Sequence, residues 1–379
     1  MTDIPLSPGM AVLDVDLSAI TDNVRTLRAR VDRPLMAVVK ADGYGHGLVE
    51  AARAALAGGA DSLGVTTLGE ARALREAGVD APLLSWLHAP GADFGWAIGA
   101  GVALGLSSLE ALEAVAAAGA GAAVHLKIDT GLGRAGCTAD DWPALVERAA
   151  GLAADGRLSV AGIWSHFAFA DAPGHPTVRR QVVNLRAAAD VARAAGLDGF
   201  ALHIANSAAT LTDPDAWCDV VRPGVAVYGL DPMGGDPAAY GLRPAMRASA
   251  RVLMAKDVPA GTGVSYGLTY TTNAPTRLAV VPVGYADGIP RAASNKAPVA
   301  IGGRRYRIAG RVCMDQFVVD VGDAPVAAGD EVVLWGDAAY GEPTAQEWAD
   351  AADTIHYEIV ARVGGRFVRR HHDDLRGRA

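Results

Sequence analysis

Short apolar runs alternate with alanine-rich stretches over the first two thirds of the chain, always in the order apolar run, turn, then a segment with arginine or glutamate at helical spacing. After an opening strand at 12–16 and a helix at 18–31, strand-like runs fall at 36–40, 62–67, 82–87, 102–107, 124–129, 160–167, 201–207 and 220–228. Helical segments at 48–56, 68–77, 109–118, 142–154 and 178–195 fill most of the gaps. Eight strands alternating with helices predict an α/β fold in which a parallel sheet closes as a (β/α)₈ TIM-type barrel. Barrels of this kind carry their chemistry at the carboxyl ends of the strands.

Beyond Pro244 the pattern changes. Runs at 249–258, 276–283, 298–308, 317–321 and 331–335 are rich in β-branched residues and separated by Gly-Thr-Gly, Ala-Asp-Gly, Gly-Gly and Gly-Asp turns, which predicts a mainly β C-terminal domain. One helix, 344–355, opens with a capping box in Thr344 and Glu347. The expected division is a barrel at 12–243 and a β domain at 244–379, with residues 1–11 packing on the latter. No low-complexity linker separates them, so the two are expected to serve one site. The basic tail, 366–378, reads as a solvated end.

Composition narrows the function classes. With 379 residues, 51% of them hydrophobic and 20% charged, the chain can bury two cores. A net charge of -8 without a long basic run argues against nucleic acid and anionic lipid as partners. Neither a secretory leader nor an apolar segment of membrane-spanning length is present, so the expected location is the cytoplasm. Cys137, Cys218 and Cys313 are odd in number and far apart, which suits reduced thiols rather than a disulfide framework or a metal site.

The first stretch with chemistry is Met36-Ala-Val-Val-Lys40, followed by Ala-Asp-Gly-Tyr44-Gly-His-Gly47. Taken alone, a strand-end lysine is one that snorkels to water. Here three glycines in five residues let a backbone approach a ligand, and an apolar strand favours the neutral amine that condenses with aldehydes. In 125–136, Lys127 and Arg134 share a strand end and its turn; two cations at a dry site repel, and on their own they read as each paired with a carboxylate such as Asp129. His166 ends the sixth barrel strand and on its own reads as a core histidine. Asn206 and Ser207 start a helix after the seventh strand, where barrels bind phosphate, and Arg222, Gly224 and Val225 follow at the eighth. In the β domain, Tyr266, Tyr285 and Met314 with Asp315 stand among glycines and Tyr357 near the end of the chain, positions where tyrosines ordinarily pack.

In order and spacing these strings resemble the alanine racemase family from about Val12 to Arg370, with His356 standing where asparagine is common. The resemblance implies pyridoxal phosphate as cofactor. It makes Lys40 the covalent anchor and one catalytic base, with Tyr266 the other. By the same resemblance Tyr44, Ser207, Gly224, Val225 and Tyr357 hold the phosphate, His166 and Asn206 complete the cofactor site, and Arg222 faces the pyridine nitrogen. Arg134 then reads the substrate carboxylate, supported by a carbamylated Lys127, while Tyr285, Met314 and Asp315 line the entrance. The implied substrate is alanine, with another small amino acid such as serine as the alternative, and the implied product supplies D-alanine for peptidoglycan. The implied assembly is a homodimer with shared active sites. An arginine can only donate, so a ring nitrogen facing Arg222 stays unprotonated and the ring is a weaker electron sink. That favours racemisation over transamination, and argues against a same-fold decarboxylase, which would want a carboxylate at this position. A barrel-only cofactor-binding protein is the rival from another class, and residues 245–379 argue against it.

Overall fold

The chain enters its barrel after one strand, β1 (Ala11–Asp16), and one helix, Leu17–Arg30. Seven further strands, β2 (Met36–Val38), β3 (Ser62–Val65), β4 (Leu83–Ser85), β5 (Val102–Leu106), β6 (Ala122–Lys127), β7 (Leu158–Trp164) and β8 (Ala201–His203), pair in parallel in chain order. The eighth place in the ring is taken by a short extended segment around Val221. It bridges Leu35 in parallel, and Asp219 and Arg222 donate to Leu202 and Ala205 carbonyls at 2.9 Å. The run expected at 220–228 therefore ends early, and Val225–Tyr228 is a 3₁₀ helix. Apart from β6, which keeps six residues but starts and ends two earlier than its run, the staves are shorter than their apolar runs, because the polar residues at their ends leave the ladder to form the mouth. The structure is a computed structural model that describes residues 9–375.

The helices between the strands follow the predicted spacing closely, as in Leu109–Ala118 and Trp142–Ala154. Leu48–Ala57 buries Ala51, Ala52, Ala54 and Ala55, small side chains that let a helix lie close to the parallel strands. Helix Leu68–Glu76 has a complete capping box between Thr67 and Glu70. A short helix at Phe94–Gly99 was not expected from the pattern.

The second unit is built on a nine-stranded sheet of order β10-β13-β16-β15-β14-β17-β9-β1-β18. Its strands are β9 (Met246–Arg251), β10 (Met254–Val258), β13 (Thr276–Val281), β14 (Pro298–Ile301), β15 (Arg304–Ala309), β16 (Phe317–Asp320), β17 (Glu331–Trp335) and β18 (Val368–His372), joined by β1. A two-stranded pair, β11 (Gly263–Val264) with β12 (Tyr270–Thr271), stands apart from it. Two expectations are corrected here. The boundary at residue 12 is wrong, since β1 lies between β9 and β18, and the described residues up to Ala19 group with those from Arg243 onward. The tail is no solvated end as far as His372: β18 runs parallel to β1. The run at 249–258 is split at Val252–Leu253, and that at 298–308 at the Gly302–Gly303 turn, where both glycines have positive φ. Helix Ala345–Ala352 carries the expected box, with Thr344 Oγ1 accepting from the Glu347 N–H at 3.1 Å. It stops at Asp353, and a separate helix, His356–Arg362, follows. Among the described residues no helix is long and apolar enough to cross a membrane.

Candidate active site

Lys40 lies just past β2. Val39 still donates to Gly64 O at 2.9 Å, after which Ala41, Asp42, Gly43 and Tyr44 all turn left-handed, with φ of 54°, 55°, 62° and 52°. Three of these four residues carry a Cβ, so the turn holds strain that its surroundings must overcome. Gly43 N donates to Val39 O at 2.9 Å, and Asp42 Oδ1 accepts from Leu48 N at 2.9 Å. Glu70 completes the clamp, accepting from Ala41 N at 2.7 Å through one carboxylate oxygen and from Thr66 N and Thr67 N through the other. Burial, followed by the Arg134 charge, pulls the Lys40 ammonium below the ordinary lysine range, with Glu70 opposing.

The other barrel residues named from the sequence converge on the same mouth. Lys127 is buried, and burial together with Arg134, Arg222 and Lys40 brings it down to about 8, against a smaller pull from Asp129. Asp129 is not its ion-pair partner. That carboxylate accepts from the backbone N–H groups of Gly131, Leu132 and Gly133 at 2.9, 2.9 and 3.0 Å, closing the turn that carries the exposed Arg134. His166 follows β7; burial and then the Arg222, Arg134, Lys127 and Lys40 charges push it to about 3, so it is neutral at pH 7.

Arg222 is buried without an acidic partner among the described residues. Its Nη1 donates to His203 Nδ1 at 3.0 Å and its Nη2 to Ser165 O at 2.9 Å. Burial lowers it to about 9, which leaves the guanidinium charged at pH 7. Because arginine only donates, His203 Nδ1 must accept, and His203 Nε2–H is directed at His125 Nδ1, 2.8 Å away. His125 reaches this position through a β-bulge in the β6–β7 pairing and through Gly162, where a Cβ would lie 2.2 Å from its ring. Asn206 caps the helix Ser207–Thr212 through Ala209 N at 3.2 Å. Ser207 Oγ accepts from Gly224 N at 2.8 Å and Ala226 N at 3.2 Å, and Val225 opens the 3₁₀ helix beside it.

In the second unit the structure makes two further groups. Tyr44 is buried 6.3 Å, ring to ring, from Tyr357, and burial raises its phenol well above the ordinary value. Gly45 allows this, because its Cβ would lie 2.1 Å from Val360 O. His356 bonds Gln346 at 2.7 Å. The other group, Tyr266, Tyr285, Cys313, Met314 and Asp315, lines an open cleft of about 540 Å³. Glycines bring its loops together: a Cβ on Gly284 would lie 2.2 Å from Cys313 O, and one on Gly310 2.7 Å from Val264 O. Tyr285 N then donates to Cys313 O and Ala286 N to Met314 O, both at 3.0 Å. Arg366 pairs with Asp315 at 3.0 Å and with the buried Asp287 at 2.6 Å. Tyr266 itself is 69% exposed.

Family models match nearly the whole chain: the alanine racemase N-terminal domain over residues 15–232 and its C-terminal domain over 245–371. The chain belongs to the alanine racemase family. An alanine racemase of Frankia casuarinae is 60% identical to it over 364 residues, covering 94% of this chain and 95% of that protein. A crystal structure of alanine racemase from the D-cycloserine producing Streptomyces lavendulae superposes with a TM-score of 0.95 at 50% identity, covering 98% of this chain and 99% of that one. The enzyme of Streptomyces coelicolor A3(2) gives 0.94 at 48% identity, with 96% and 98% covered.

The family is one of isomerases dependent on pyridoxal phosphate, and the residues of the barrel mouth fit that cofactor. The charges of four side chains, Lys40, Lys127, Arg134 and Arg222, all bear on His166 there, and the nearby acids Glu70 and Asp129 are engaged by backbone N–H groups. Such a mouth suits a ligand bearing a phosphate, an aldehyde for an amine, and an acceptor ring nitrogen. Several residues that shape it were not singled out from the sequence. Glu70 had a signal, the Thr67-x-x-Glu box, and His125 and His203 lay inside the quoted strings. Gln181 had none: fully buried on its helix, it donates to Thr130 Oγ1 at 3.1 Å and His166 O at 3.0 Å and accepts from Ala168 N at 2.9 Å, tying two mouth loops together.

Proposed function

We propose that the chain interconverts L- and D-alanine, with Lys40 and Tyr266 as the two proton-exchanging groups. The observation that carries this is the pairing, in one barrel mouth, of a lysine drawn toward its neutral amine with an arginine that has no acidic partner among the described residues. Pyridoxal phosphate, when bound, supplies the electron sink for the α-carbon. Lys40 would hold its aldehyde carbon and exchange the α-proton at Nζ on one face; the Tyr266 hydroxyl exchanges it on the other. Two bases are needed because one alone would return most protons to the face they left. Arg222 offers only donors to the ring nitrogen, keeping it unprotonated and directing the returning proton to the α-carbon. Ser207, Gly224, Val225, Tyr44 and Tyr357 would hold the phosphate, with Asn206 fixing the helix start and the neutral His166 completing the wall.

Arg134 takes the substrate carboxylate through two parallel bonds. Lys127, with its titration drawn to about 8, keeps a fraction of free amine at neutral pH that carbon dioxide can carbamylate. The product would be an anion able to hold Arg134. Tyr285, Met314 and Asp315 would line the entrance. The relatives are alanine racemases, and nothing in the comparisons supports the serine alternative. Cytoplasmic D-alanine supply for peptidoglycan is the proposed role.

We also propose a homodimer with shared sites, on the observation that Tyr266, Met314 and Tyr285 are 69%, 53% and 43% exposed around one cleft. Racemisation of a panel of L-amino acids, followed by chiral chromatography, tests the activity: D-alanine should form, and its absence would reject the proposal. Refolding an equal mixture of inactive Lys40→Ala and Tyr266→Phe chains tests the sharing. Random pairing makes about half the dimers mixed, so about a quarter of all sites regain both residues and activity should return to that level. An inactive mixture would mean that each site is built from one chain.

A further inference from the structure

We infer that Ser265 is a positioning residue: its hydroxyl latches a strained backbone in place, and that backbone fixes the turn from which the Tyr266 phenol acts. The turn joins β11 to β12 and consists of one 3₁₀ turn, Tyr266–Leu268. Ser265 opens it at φ 62° and ψ -173°, a conformation that is essentially glycine's alone. Leu268 closes it left-handed, at φ 47°. Two strained residues with side chains therefore bracket Tyr266, and the surroundings must hold both. Among the described residues the exposed Tyr266 side chain makes no hydrogen bond of its own, so its place is set by this backbone.

The neighbouring loop supplies the hold. Ser265 Oγ donates to Arg311 O at 2.7 Å and lies 3.3 Å from Cys313 Sγ, while the Leu268 N–H returns to Ser265 O at 3.2 Å. Gly310 lets the two segments touch, since a Cβ there would lie 2.9 Å from Ser265 Cβ. Asn295, itself left-handed at φ 62°, ties the far side of the turn, accepting from Gly310 N at 2.6 Å and donating to Thr269 Oγ1 at 3.1 Å. Val264, the residue before Ser265, is buried with Leu278 and Ala309 and anchors the strand that leads in. Glycine at 265 would reach the same angles without strain, but it would also leave them freely. A serine whose hydroxyl is engaged at Arg311 O selects one conformation. For a group that exchanges a proton this matters, because misplacement by roughly 1 Å can cost about 10²-fold in rate. The catalytic consequence rests on the racemase reading of Tyr266. The strain and the latch do not.

Two variants of the holoenzyme separate strain from latch: Ser265→Ala removes the hydroxyl and keeps the strain, and Ser265→Gly removes both. Alanine ordinarily stabilises a chain relative to glycine, whereas here the glycine variant should melt about 2–4 °C above the alanine variant. An alanine variant as stable as the glycine variant, or more so, would show that Ser265 is not strained and overturn the proposal. Amide hydrogen exchange followed by mass spectrometry reads the latch: residues 262–270 should exchange about fivefold faster in both variants than in the parent. Exchange unchanged in that segment rejects the latch. For the reaction, kcat should fall about 10²-fold in both variants. The α-deuterium isotope effect on kcat/KM should rise for L-alanine, whose proton Tyr266 takes, and shrink for D-alanine, whose proton Lys40 takes. A loss of structure in general would slow the reaction with both isotope effects unmoved, and that result rejects the positioning role. If the parent did not racemise alanine, the functional reading would fail, while the order of melting temperatures and the exchange would still decide on the strained latch.

Discussion

The barrel mouth and the cleft of the β unit are assembled by opposite means. In the mouth, cations are crowded into a poorly solvated space, and the nearby carboxylates are turned to backbone donors, so burial and mutual repulsion shift Lys40, Lys127 and His166 together. In the cleft the acids are paired, Asp315 and Asp287 with Arg366, and position comes from backbone loops pressed together at glycines. The first arrangement stores electrostatic potential that an anionic ligand can release. The second stores almost none, and instead presents exposed side chains at fixed places. Protonation states are set by the surroundings in the mouth, whereas the cleft offers side chains, Tyr266 among them, whose positions are set by the backbone.

The largest expected effect is on the mouth. Lys40→Ala should lower kcat by roughly 10⁴-fold or more and abolish the covalent label that borohydride leaves when cofactor is bound. Chiral chromatography and peptide mass spectrometry read the two losses; a variant that keeps both would remove Lys40 from the chemistry. Arg222→Glu reverses the sign of one charge in the crowd. Racemisation should fall roughly 10²-fold or more while the ratio of half-transamination to racemisation rises. An unchanged ratio would mean that the guanidinium does not govern where the proton returns.

Gly284→Ala probes the cleft. Its Cβ would meet Cys313 O at 2.2 Å, so the Tyr285 and Met314 loops must part, at a cost of about 1–3 kcal/mol. Urea denaturation should show this loss, and KM for alanine should rise, while the borohydride label on Lys40 stays at the parent level. A weaker label would show that the two regions are not independent.

The smallest effect is a slope. Burial raises the Asp16 carboxyl, but hydrogen bonds from Ser18, Arg243 and Ala19 outweigh it, so Asp16 titrates below the ordinary 3.8. A depressed carboxylate contributes stability that is present above its unfolded value and lost as pH falls through the folded one. Asp16→Asn should therefore lose less Tm than the parent between pH 7 and pH 3. Equal losses would show that this ion pair does not couple to acid unfolding.

What the sequence made legible was local. Alanine-rich helices, the Thr344–Glu347 box and the glycine strings declare themselves within a few residues, and most of the candidate residues fall where such signals place them. Pairing between distant strands has no local signature: nothing in Val12–Asp16 says that its neighbours are residues 246–250 and 368–372. The electrostatics of the mouth were legible only in part. A pair of cations can be read from Lys127 and Arg134, but that Asp129 would be taken by three N–H groups depends on a turn set by the closed barrel.

The place of β1 between β9 and β18 has a consequence for how the protein is made. The ribosome delivers β1 well before its neighbours, since the antiparallel one, β9, is complete only at Arg251 and the parallel one, β18, only at His372. At roughly 5–20 residues per second, the first strand waits on the order of tens of seconds for a partner, while the whole barrel is synthesised and can close in the meantime. Folding in the cell thus cannot simply run from the amino end. The earliest segment is an unpaired edge until β9 has been made, and nascent chains stalled before residue 246 should expose it to protease while already protecting the barrel.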